Sequence, residues 1–149
     1  MGSYFGTIPY QKSDAHFPAG AVADYDRDGR MDVFLASWFP QAPSVLLLNR
    51  TSPKNHWLQV AVEGKTINRM GIGSRIRVYH AGKVGNASAL LGHDEIDITQ
   101  GYCTGTEAVC HFGLGTVTSC DVEVVLPFGK GRIVQPGVDV DQRIIVRQE

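Results

Sequence analysis

Four aspartates crowd into nine residues of this chain. Asp24, Asp26, Asp28 and Asp32 fall at positions 1, 3, 5 and 9 of a loop, with Gly29 at position 6 and the Arg30 carbonyl at position 7. Carboxylates at this spacing repel one another, and Arg27 and Arg30 offset only part of that repulsion, so a hard divalent cation held by oxygens is the simplest resolution. Alternate residues supply the ligands because a tight loop turns every second side chain inward, and Gly29 permits the positive φ of the sharp turn. The expected cofactor is Ca2+, bound by Asp24, Asp26, Asp28, the Arg30 carbonyl and Asp32. The plainer alternative is an acidic surface turn. An EF-hand is excluded, because position 12 is Leu35 where a bidentate glutamate is required.

The flanks of the loop, Ala21, Val22, Ala23 on one side and Val33, Phe34, Leu35 on the other, are short and apolar. They read as strands, so the unit expected is strand, calcium loop, strand. After it, strands over 33–37 and 45–49 flank an aromatic and proline loop containing Trp38 and Phe39. Residues 1–19 are turn-rich, with one strand expected over 4–8.

Around residues 51–55 the composition turns to Ser, Pro, Lys and Asn, which places a linker between residues 1–52 and a second domain at 53–149. From there the pattern is strand after strand, over 57–62, 75–80, 87–91, 95–99, 108–112, 122–126, 132–135 and 143–147. Ile76 and Val78 share one face opposite Arg75 and Arg77, the alternation of a half-buried sheet. No stretch of helix length carries the 3.6-residue period. The fold class is therefore all-β: a partial β-propeller-type repeat with its calcium loop, followed by an antiparallel β-sandwich or barrel-like domain.

Composition narrows function further. The chain has 149 residues, 43% of them hydrophobic and 19% charged, which is globular rather than disordered. A net charge of −1 supplies no basic stripe for nucleic acid. No apolar run approaches the roughly 20 residues that span a bilayer, and the N-terminus lacks the features of a secretory signal. Two sequons, at Asn49 and Asn86, and a loop suited to plentiful calcium nevertheless point outside the cell, so a piece of a longer secreted chain is expected.

Catalytic constellations are missing. His16, His56, His80, His93 and His111 are scattered without a metal-ligand spacing, and no nucleophile elbow, phosphate loop or complete dinucleotide fingerprint occurs. Asp94 and Glu95 point to opposite faces if they lie on a strand, which spoils them as an acid and base pair. We expect no enzyme. Asn68 and Arg69, just ahead of a glycine turn, are candidates for a glycan or an acidic partner, against a structural reading in which Arg69 bonds backbone carbonyls. Trp38 and Trp57 offer a sugar-stacking platform or, more simply, packing between the blade and the second domain. Cys103 and Cys110 could pair across a hairpin; equally, both and Cys120 could be small buried hydrophobes.

Longer motifs carry a resemblance. His56-Trp57-Leu58-Gln59-Val60, then Asn68 through Ile76, Gly101-Tyr102, His111-Phe112-Gly113-Leu114-Gly115 and Asp121-Val122-Glu123-Val124 together resemble the ASPIC/UnbV domain of cartilage acidic proteins and related extracellular proteins. The segment from Asp24 to Ser37 resembles an FG-GAP or VCBS repeat of integrin-like propellers, which usually precede that domain. The family's WPxG element is here Leu126-Pro127-Phe128-Gly129, so a role for that tryptophan does not carry over. The resemblance implies a secreted, non-catalytic, calcium-dependent adhesion or interaction module whose partner is an extracellular protein or glycan. A carbohydrate-binding or enzyme-accessory domain is the alternative.

Overall fold

The computed structural model describes residues 16–52, 54–99 and 101–149. The strand expected over 4–8 lies outside them. The chain divides into two units, residues 1–52 with 99–107 and residues 53–98 with 108–149.

In the first unit, β1 (Ala19–Ala23), β2 (Asp32–Ala36) and β3 (Val45–Leu47) form an antiparallel sheet in that order. The acidic loop is the β1–β2 connection, and the pairing of Ala23 with Asp32 closes its two ends. Asp32 is the one buried residue among the described residues 16–52. Val22, Phe34 and Leu46, which alternation places on strands, remain exposed.

The second unit is a two-sheet sandwich-like body. One sheet has the order β10-β4-β7, from β4 (His56–Glu63), β7 (Cys110–Gly115) and β10 (Gln142–Arg147). The other has the order β6-β5-β8-β9, from β5 (Arg75–His80), β6 (Leu90–Glu95), β8 (Ser119–Val125) and β9 (Arg132–Asp139). Period-2 alternation aims Leu58, Val60 and Val62 of β4, Ile76 and Val78 of β5, Phe112 and Leu114 of β7, and Val122 and Val124 of β8 into one apolar core.

The structure corrects the sequence reading in three places. The second domain is not wholly antiparallel: β10 pairs parallel with β4, with Ile144 opposite Val60. Asp141 sets this up. Its backbone N–H donates to the Trp57 carbonyl (2.7 Å), and its carboxylate accepts from the Trp57 N–H (3.2 Å), so the last strand starts alongside β4. The strand expected over 95–99 stops at Glu95, because Ile96 turns into the core, 1% exposed, with its N–H on the Ser74 carbonyl and its carbonyl on the Gly73 N–H. The strand expected over 87–91 opens instead as a 3-10 turn, Ala87–Ala89, capped by the Asn86 side chain.

Glycine matters at the turn before β5. Gly71 has φ 67°, and a Cβ there would stand 2.4 Å from the Val62 Cβ, so no other residue fits without moving β4.

Candidate metal site

Asp24, Asp26 and Asp28 each present an oxygen within 4.8 Å of the others, the group of metal-capable side chains that the described residues bring together. The backbone holds this arrangement. The N–H groups of Asp28 and Gly29 donate to the two Asp24 oxygens (2.9 and 3.0 Å), and the Arg30 N–H donates to Asp28 Oδ1 (2.9 Å). Arg27 (φ 59°) and Gly29 (φ 85°) supply the left-handed steps that wrap the loop.

Asp32 has a different task. At 2% exposed, its Oδ2 accepts from the Tyr25 N–H (2.9 Å) and its Oδ1 from the Asn49 N–H (2.7 Å). It ties the loop's start, and Asn49 just beyond β3, to β2.

Charge is only partly balanced. The Arg30 guanidinium pairs with Asp28 Oδ2 and donates to the Asn49 carbonyl (2.8 Å), and Arg50 lies 3.4 Å from Asp26. Partial desolvation, then the charges of Asp28 and Asp32, push the Asp26 carboxyl above its ordinary value, while Arg50 pulls the other way. Three hard oxygens on a preformed turn suit a cation such as Ca2+. An ion would compete with Arg30 for Asp28. Arg50 and Asn49 were not legible as parts of this site, since the contacts that recruit them cross 24 and 17 residues.

The remaining sequence candidates separate. Asn68 fixes its own turn, donating from Nδ2 to the Ile72 carbonyl and accepting from the Ile72 N–H on Oδ1 (both 2.8 Å). The structural role expected of Arg69 therefore belongs to Asn68; the Arg69 side chain is 88% exposed and reaches Glu63 at 3.9 Å. Trp57 stacks on His111, with centroids 5.9 Å apart and planes 5° from parallel, and Gln59 Nε2 lies 3.4 Å from His111 Nδ1. Trp38 is 62% exposed, and Phe39 packs at a tilt on His16 (6.5 Å).

Both sequons carry structural bonds. Asn49 is half-buried, its Nδ2 on the Met31 carbonyl (3.3 Å) and its Oδ1 accepting from Thr51, so attaching a sugar there would break a contact behind the loop. Asn86 is exposed, with only its Oδ1 taken, by Ser88. All three cysteines are free: the pairing of Cys103 with Cys110 is not formed. Cys103 is exposed, whereas Cys110 and Cys120 are buried and behave as the small hydrophobes of the alternative reading.

One feature the sequence did not signal is buried Glu123. It receives Arg77 (3.2 Å) and Arg132 (2.9 Å) on its two oxygens, with the Tyr79 hydroxyl 3.3 Å away. It locks β5, β8 and β9 together on the face opposite the core.

The sequence profile described as ASPIC and UnbV matches residues 64–149. The chain belongs to the ASPIC and UnbV family. It is 32% identical over 118 residues to cartilage acidic protein 1 of Xenopus tropicalis, covering 78% of this chain and 17% of that relative. To cartilage acidic protein 1 of Homo sapiens it is 32% identical over 112 residues, covering 74% of this chain and 16% of the relative. The chain thus spans about a sixth of the length of these relatives. The acidic loop precedes the matched family region.

Proposed function

We propose that this protein is a non-catalytic, extracellular calcium-binding module, in which Ca2+ braces the β1–β2 loop and the ASPIC/UnbV sandwich serves adhesion or recognition. The convergence of Asp24, Asp26 and Asp28 on a turn held by Asp32 and Gly29 carries this reading. Calcium here is structural. It replaces carboxylate repulsion with shared coordination, and the short β1–β2–β3 sheet gains the tie that its exposed apolar residues do not provide. The FG-GAP or VCBS likeness of the loop and the much greater length of the relatives support a setting beside further propeller repeats. The partner would be an extracellular protein or glycan.

A thermal melt of the intact chain in calcium and then in chelator tests the metal. At a calcium concentration about 100-fold above the dissociation constant, binding to the folded state alone adds about 2.7 kcal/mol. That gain should vanish in Asp26→Ala. An absent shift, or one that Asp26→Ala preserves, would overturn the proposal.

A further inference from the structure

The two sequons are alike in sequence and in local turn. The side-chain oxygen of Asn49 accepts from the Thr51 N–H (3.1 Å) and hydroxyl (2.7 Å), and that of Asn86 from the Ser88 N–H (3.0 Å) and hydroxyl (2.7 Å). They differ at the nitrogen, which is the atom that would carry a sugar.

Asn49 is held on every side. Its Nδ2 donates to the Met31 carbonyl (3.3 Å), its backbone N–H to Asp32 Oδ1 (2.7 Å), and its carbonyl accepts from Arg30 Nε (2.8 Å). A sugar on that half-buried nitrogen would press on the backbone behind the acidic loop. Asn86 instead caps the short 3-10 turn that opens the way into β6, and among the described residues its Nδ2 has no protein partner. Residues 85–88 are all exposed, and a Cβ added at Gly82 or Gly85 would meet nothing within 4 Å. A shallow cleft of about 450 Å³, lined by Lys83, Thr116, Thr118 and Ser119, opens beside this turn, where the Lys83 carbonyl accepts from the Asn86 N–H (3.1 Å). Capping uses only the Asn86 oxygen, so a sugar on the nitrogen leaves the cap intact.

We propose that Asn86 is an N-glycosylation site of this chain and that Asn49 stays bare in the folded, exported form. The inference rests on the extracellular reading, since this modification belongs to secreted chains. The donor is a lipid-linked oligosaccharide diphosphate. A bond forms between Asn86 Nδ2 and the anomeric carbon as the bond from that carbon to the diphosphate oxygen breaks. The diphosphate leaves with the electron pair, and the amide proton passes to a base of the transferase.

The test is expression of the full chain behind a cleavable secretory leader in a eukaryotic cell line. Peptide-N-glycosidase then converts each glycan-bearing asparagine to aspartate, which peptide mass spectrometry locates. The exported chain should carry one glycan, at Asn86. Asn86→Gln and Ser88→Ala should each lose its whole mass, while Asn49→Gln should lose none of it. An exported, folded chain that is bare at Asn86 overturns the inference and leaves the extracellular reading standing. A glycan on Asn49 in the exported chain overturns it as well. A chain glycosylated at Asn86 but retained inside the cell supports the site and counts against the extracellular reading alone.

Discussion

The two units solve the same problem, holding short strands together, by opposite means. In residues 53–98 and 108–149, side chains from both sheets interlock in an apolar core that includes Leu58, Val60, Ile76, Val78, Val122 and Val124, each 0% exposed. In the described residues 16–52 the buried centre is the single carboxylate of Asp32, and the strand apolars Val22, Phe34 and Leu46 face water. A core built from area is insensitive to ions, whereas one built on a charged hydrogen-bond acceptor answers to whatever alters the charges around it.

This contrast can be broken by mutation. The largest effect is expected from Leu58→Ala, which empties a fully buried site and should cost about 4 kcal/mol, with the same loss in calcium and in chelator. A calcium-dependent loss would show the units to be less distinct than described. Next, Asp32→Ala strands the N–H groups of Tyr25 and Asn49 and should cost about 3 kcal/mol. Amide exchange should place that loss in β1 to β3 and leave β4 to β10 protected. Protection lost equally throughout would defeat the comparison.

The smallest effect sharpens the comparison and is read near pH 10. Burial, and then the carboxylates of Asp94 and Asp97, push the Cys110 thiol up to about 12; burial and Asp121 push Cys120 to about 11. Each folded value lies above the ordinary 9, so the folded state holds these protons more tightly than the unfolded one. Their contribution is complete below pH 9 and fades as pH rises toward 11 and 12. Denaturant melts between pH 8 and 10 should show the sandwich weakening. Alkylation of the native chain at pH 8 should modify Cys103 alone. Ready labelling of Cys110 would contradict its burial.

Much of this was written in local pattern. Alternation in Arg75–His80 gave its strand within the expected bounds, because period-2 burial needs only neighbours in sequence. Aspartate spacing likewise located the turn where Asp24, Asp26 and Asp28 meet. What local pattern could not carry was long-range pairing. Nothing near Arg143–Arg147 distinguishes a parallel partner from an antiparallel one, since the choice is made by Asp141 binding the backbone of Trp57, 84 residues away. Arg69 misled for a similar reason. A loop arginine and a loop asparagine both satisfy carbonyls, and only the short reach from Asn68 to both backbone groups of Ile72 decides which one does.

The parallel pairing of β10 with β4 also sets a clock. During synthesis, β4 leaves the ribosome long before Gln142–Arg147 exists, so its outer edge, flanked by Val60 and Val62, must wait unpaired for the final strand. The sandwich can therefore complete its hydrogen bonding only when translation has passed Arg147. A chain stalled or clipped before that point would keep an adhesive edge on display, for a chaperone or for another copy of itself.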